Sequence, residues 1–331
     1  KINKMINKMI NKMINKMLKN KIKLDNILII LFFLNLFLFS LYNGGGWNIN
    51  EHIDLSKKKR NYQSDNYAKE IINKLRKPYQ KSMPDFLKEK IKKNNNNYLS
   101  LKIEFEDYLK FSSLKKIFIF YKVFQKIINF NYYRTLTNHF MLPKKYIVYF
   151  LHYQPERTST PDGGIFSAQL YNINLISMAI DHLKLNIKIV VKEHPTQFRN
   201  KWNTGFRDIN FYKQIKKLNN TIFAPLNMDP TRLIDKSLCT SSINGTCLFE
   251  AAARGKSVIC FGYKSKTYKW HNCFNNDNID NLCLALKTII KKKNEGTKIV
   301  NSFQSYLSDR IINSLYIKYR NTSFELFEYL L

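Results

Sequence analysis

Three signatures are missing from this chain, and each absence closes a class of function. There is no GxxxxGK followed by Ser or Thr, so a P-loop nucleotidase is excluded, and no GxGxxG, which removes the usual dehydrogenase fingerprint. There is no CxxC pair either. The five cysteines, Cys239, Cys247, Cys260, Cys273 and Cys283, all lie in the last third, odd in number and without metal-ligand spacing. They read as small apolar core residues suited to a reducing compartment. Acidic residues are scarce, 24 Asp and Glu against 55 Lys and Arg, and the formal net charge is +31. Such a field attracts polyanions of every kind. The lysines are spread along the chain rather than gathered in a patch, which argues against a dedicated nucleic-acid role.

What is present is foldable: 331 residues, 44% hydrophobic and 14% aromatic, enough for two modest domains. The chain opens on Lys1, which reads as a fragment or an imprecise start site. Residues 1–16 repeat KINK and then MINK, within a basic low-complexity extension over 1–25. A period of four slants an Ile/Met stripe around a helix, so binding to an anionic membrane surface is the alternative reading. The apolar run Asn26–Tyr42 is shorter than the ~20 residues of a usual span, and Asn35 interrupts it. It is either a signal anchor behind a basic segment or a buried strand ending at Gly44-Gly45-Gly46. Residues 26–140 form an N-terminal region, with helices expected over Asn66–Arg76 and Phe105–Ile128 and a loop at Asn94–Asn97.

From Tyr146 short apolar runs alternate with amphipathic segments. Strands are predicted at Tyr146–Leu151, Ile187–Val191, Thr221–Ala224, near Leu238–Thr240 and at Ser257–Phe261. Helices are predicted at Ser167–Leu183, Asp208–Leu218, Pro230–Lys236 and from Thr246 to Arg254. This is an α/β pattern with a parallel sheet covered on both faces, here a Rossmann-like domain over 141–331 with further C-terminal helices. Ligands of such sheets bind beyond the carboxyl ends of the strands.

Those ends carry the chemistry. The first is followed by His152, Glu156 and Pro161-Asp162-Gly163-Gly164, and the second by Lys192-Glu193-His194-Pro195. After the strand near Leu238 come Ser241, Ser242, Asn244, Gly245 and Thr246, leading into a helix that contains Glu250. A small hydroxyl-rich loop with a glycine lets backbone N–H groups approach an anion, and the helix N-terminus adds partial positive charge. The competing reading is an ordinary N-cap, which favours the same residue types. Pro195 holds His194 extended at the strand end, where the ring can donate to phosphate. Asp277-Asn278-Ile279-Asp280 reads as a capping loop rather than a metal site.

The runs VYFLHYQPERTSTPDGG, VVKEHPTQF, PLN and SSINGTCLFEAAARGKSVICFG resemble the capsule polysaccharide biosynthesis proteins. They are also similar to GT-B transferases using CMP-activated acidic sugars, the Kdo transferases and bacterial sialyltransferases. The match spans Tyr146 to Tyr268. It implies a GT-B-like fold of two Rossmann-like domains and transfer of a sugar from a nucleotide donor, CMP favoured, with no metal and no cofactor. Donor contacts then fall to His194-Pro195, Ser241, Ser242, Asn244, Gly245 and Thr246. By position alone, Lys192 at its strand end is a further candidate for the leaving phosphate, and Glu250, one turn into its helix, is either a contact to ribose or base or a capping or structural carboxylate. Catalytic candidates are His194 together with Asp162, His152 or Glu156 as base. The acidic-Gly motif of sialyltransferases lies in the other domain, and the common GTAGWEA pattern is GTCLFEA here, so both carry-overs depart from the family. The partners implied are a nucleotide sugar and a polysaccharide or glycolipid acceptor, at a cytoplasmic site peripheral to or anchored in the inner membrane. The alternatives are a UDP-sugar epimerase-like enzyme and a non-catalytic membrane-associated subunit of a polysaccharide assembly complex.

Overall fold

A computed structural model gives the fold and describes residues 62–77, 113–154, 159–160, 162–198, 207–291 and 295–313. The chain divides into two units, Lys1–Ile53 and Asp54–Leu331, and every described residue belongs to the second. The expectations for the basic extension, the apolar run, the Gly44 turn, the Asn94–Asn97 loop and Glu156 lie outside the described residues.

In chain order the elements are α1 (Tyr62–Leu75), α2 (Ser113–Thr137), β1 (Tyr146–Phe150), a 3-10 turn (Gly164–Ser167), α3 (Gln169–His182) and β2 (Lys188–Lys192). Then follow α4 (Ile209–Lys216), β3 (Thr221–Ala224), α5 (Pro230–Lys236), β4 (Cys239–Ser242) and α6 (Thr246–Ala253). The chain continues through β5 (Ser257–Cys260), a second 3-10 turn (Lys264–Thr267), β6 (Cys273–Asn275), α7 (Ile279–Lys291) and α8 (Gly296–Asn313). The six strands form one parallel sheet in the order β3-β2-β1-β4-β5-β6. That is the doubly wound α/β order, whose direction of winding reverses between β1 and β4.

The strands are near-continuous buried runs because helices cover both faces. Side chains alternate between two cores. Ile147, Tyr149, Ile189, Val191, Phe223 and Ile259 face one core with α2, α3, α4 and α7. Val258 and Cys260 face the other, with α1, α6 and α8 around the ring cluster of Phe249, Tyr268, Trp270 and Phe303. Capping follows local chemistry: Asp208 Oδ1 accepts from Phe211 N (2.7 Å), Asp229 Oδ1 from Thr231 N (2.9 Å) ahead of Pro230, and Asn278 Oδ1 from Asn281 N (2.9 Å). The Asp277–Asp280 stretch is thus a helix cap. All five cysteines are free thiols, and Cys239, Cys260 and Cys283 are buried.

The described helices of the N-terminal region pack on this sheet and its helices: Tyr133 of α2 lies in the first core, and Asp65 of α1 accepts from the Ser308 hydroxyl of α8 (2.6 Å). One finding differs from expectation: β4 runs to Ser242, so Ser241 and Ser242 are strand residues in register with Tyr149 and Cys260 rather than loop residues. Among the described residues no helix is long and apolar enough to cross a membrane.

Candidate functional site

At the carboxyl edge β1 lies between β2 and β4, so the His194 turn and the Ile243–Gly245 loop leave from either side of one strand. Adjacent strands are ~4.8 Å apart, which puts the two strand ends roughly 10 Å from each other. The residues after β1 touch both. His152 Nε2 accepts from the backbone N–H of Asn244 (3.3 Å), and the Tyr153 ring lies 5.9 Å from the His194 ring.

The loop after β4 is shaped by glycine. Gly245 has φ +107°, and a Cβ there would stand 2.9 Å from His152 Cε1. It occupies the N-cap of α6, and no side chain caps that helix. The ordinary capping account of this hydroxyl-rich segment is therefore set aside. Asn244 is fully buried, and neither its Oδ1 nor its Nδ2 has a hydrogen-bond partner among the described residues. The hydroxyls of Thr240 and Ser241 are buried and unpartnered in the same way, whereas Ser242 Oγ donates to the Phe150 carbonyl (2.8 Å) and ties β4 to β1. A helix N-terminus without a cap, beside a buried amide without a partner, is suited to an anion with further acceptor oxygens. Thr246 is exposed and opens the helix.

His194 follows β2. Its Nδ1 accepts from Thr196 N–H (3.3 Å) and lies 2.7 Å from Thr196 Oγ1, which assigns the ring proton of the neutral form to Nε2. The ring is half-buried, as is Pro195. Lys192 is buried, and its ammonium donates to the carbonyls of Glu193 (3.2 Å) and Leu226 (3.0 Å). Burial pulls its pKa down to about 8, against the opposing pull of the Glu193 charge. These bonds fasten the β2 end onto the loop after β3.

Among the base candidates, His152 uses its acceptor nitrogen on Asn244 N–H and is held at both backbone atoms by Gln169: N to Oε1 (2.7 Å) and Nε2 to O (3.2 Å). It supports the loop. Asp162 is partly exposed, and no hydrogen bond to its carboxylate is present among the described residues. Its carbonyl accepts from Tyr263 N–H (3.1 Å). Around it three turns close on one another: a Cβ on Gly163 would lie 2.5 Å from Ser159 O, and one on Gly262 would lie 3.0 Å from Gly163 Cα. Glu250, one turn inside α6, is pushed up to about 7 by burial, with Arg254 lowering it and Asp229 raising it.

No motif in the sequence gives Glu193 or Arg207 a role in the site; both are buried, and their ion pair measures 3.1 Å. A glutamate at a predicted buried strand end demands a cationic partner; that was the available signal. Among the described residues no group of three or more His, Cys, Asp or Glu is placed to hold a metal ion.

No family model and no curated protein matches this chain. Solved structures do. The S. aureus MnaA–UDP co-structure is 17% identical over 53% of this chain and 45% of that one, with a TM-score of 0.32. The UDP-GlcNAc 2-epimerase from Methanocaldococcus jannaschii is 15% identical over 55% and 49%, TM-score 0.35. Anabaena Alr3699/HepE in complex with UDP-glucose is 16% identical over 50% and 44%, TM-score 0.34. The chain spans about half the length of these structures.

Proposed function

We propose that this carboxyl edge binds the phosphate and ribose of a nucleotide sugar, CMP-linked by preference, and that the chain transfers the sugar to a surface-polysaccharide acceptor. The observation that carries the reading is the uncapped α6 N-terminus next to the buried, unpartnered amide of Asn244. Anionic phosphate oxygens satisfy both the helix dipole and the amide donor at once. Within this reading the Nε2–H of His194 donates to the leaving phosphate as the glycosidic C–O bond lengthens, since donors fixed in advance stabilise charge that develops in the transition state. Asp162 takes the proton of the acceptor hydroxyl, the role left to it once His152 is committed to Asn244. Glu250 faces the ribose or base.

Glycosyl transfer and epimerisation part at the product. Purified protein incubated with CMP- and UDP-sugars, with and without oligosaccharide acceptors, is analysed by mass spectrometry and NMR. Transfer yields a lengthened acceptor and free nucleotide, whereas epimerisation yields an isomeric nucleotide sugar without acceptor. His194→Ala is expected to lower transfer by at least ~100-fold with an unchanged melting temperature. Wild-type turnover in that variant removes His194 from the mechanism.

A further inference from the structure

Glu193 and Arg207 have no role in the reading above, and their side chains are 0% and 1% exposed. Stability alone is a poor reason for them, because a buried ion pair must offset the desolvation of two charges and packed hydrocarbon of similar volume often does as well. The distribution of their bonds is more telling. From Arg207, Nη2 donates to the His152 carbonyl (2.8 Å), Nη1 to Gln154 Oε1 (2.5 Å) and Nε to Glu193 Oε2 (3.1 Å). Glu193 Oε1 accepts the backbone N–H of His194 (2.8 Å), and Oε2 accepts from the Tyr212 hydroxyl (2.7 Å). One guanidinium thus grips the chain after β1, and its carboxylate partner grips the chain after β2.

The rest of the surround holds the pair still. Tyr133 OH accepts from Glu193 N–H (3.2 Å) and donates to the Ala224 carbonyl (2.7 Å). Asn129 Nδ2 donates to the Arg207 carbonyl (2.7 Å), and the Phe211 ring lies 4.5 Å from the guanidinium. A planar fork with fixed donors holds three acceptors at set angles; an ammonium does not.

We propose that the Glu193–Arg207 pair is a positioning device that fixes the spacing between the His194 imidazole and the His152-supported Asn244–Gly245 loop, so that both meet the same phosphate. This rests on the nucleotide reading. Arg207 acts through the His152 carbonyl and Glu193 through the His194 amide; neither touches the ligand. A misplacement of about 1 Å at such a site costs on the order of 100-fold.

The test is a thermodynamic cycle between the pair and His194, read by calorimetric titration of the full chain with CMP and UDP. Two variants remove the positioning: Arg207→Lys, which keeps the charge without the fork, and Glu193→Gln/Arg207→Met, which removes both charges and leaves neither ion unpaired. Each, where circular dichroism shows it folded, is expected to weaken nucleotide binding by at least ~10-fold. Adding His194→Ala in either background is expected to cost little more, because the ring has already lost its place. A merely structural pair lowers the melting temperature and leaves the cost of His194→Ala as large as in the wild type. Wild-type affinity in a folded pair variant, or costs that multiply independently, overturns the proposal while the nucleotide reading stands. Wild-type protein that binds neither nucleotide overturns both.

Discussion

Burial pushes the Glu250 carboxyl up to about 7, from 4.5. Between those two values the folded chain holds a proton that the unfolded chain has released. Stability therefore falls as pH rises through this window, and the loss is complete above about pH 7. Glu250→Gln has no such proton to lose. It is expected to gain about 2 kcal/mol more stability over wild type at pH 8 than at pH 5, measured by urea denaturation at both. An equal gain at the two values contradicts the burial account. At Gly245 the backbone, not charge, decides. Its φ of +107° and the His152 ring 2.9 Å from a would-be Cβ make Gly245→Ala doubly unfavourable, by about 1–3 kcal/mol of strain. The displaced ring also disturbs Asn244, so nucleotide affinity is expected to fall with the melting temperature. A variant that melts like wild type shows the loop adopting another conformation. At this scale His194 and Asn244 were legible as polar residues at a strand end. Arg207 was not, since it stands 14 positions from Glu193 and no periodicity records which distant side chains a fold pairs.

Elements were legible where a run was both apolar and bounded by turn residues. Thr221–Ala224 and Pro230–Lys236 fall where the sequence puts them, because Asp229-Pro230 is a start signal and Ala224-Pro225 a stop. Strand β6 and the bounds of α8 went unread for a physical reason. Cys273–Asn275 is three residues long and only half-buried, held as an edge by pairing with β5. Helix α8 has Ser, Thr, Asn and Gln among its apolar positions, and its place comes from packing on α1 and α6. That packing centres on Phe303, 0% exposed, with Phe249 at 5.7 Å and Trp270 at 5.0 Å between ring centroids. Phe303→Ala is expected to cost about 3–5 kcal/mol, whereas Leu284→Ala on α7, where the side chain is 65% exposed, should stay within about 0.5 kcal/mol. Chemical denaturation of the two variants side by side reads the contrast. Comparable losses place Leu284 in an interface that its exposure does not reveal.

For the whole molecule the +31 charge poses a problem of attribution, since any phosphate compound is drawn to such a surface. Two kinds of binding separate by their physics. Long-range attraction is screened beyond ~8 Å at physiological ionic strength, ignores the base and accepts any polyanion. Binding at the proposed site rests on one buried amide and one helix end, groups that salt screens far less. Nucleotide at one hundred times its dissociation constant stabilises the folded state by about 2.7 kcal/mol, a rise of roughly 5–10 °C in melting temperature for a domain of this class. That rise is expected from CMP or UDP, to survive 0.15 M salt (about one Debye length of 8 Å), and to vanish in Asn244→Ala. Heparin retention, which reads the diffuse field, should be the same in Asn244→Ala and wild type. If instead inorganic pyrophosphate matches the nucleotides and Asn244→Ala keeps the full shift, the charge alone explains the binding and the edge of the sheet holds no specific site.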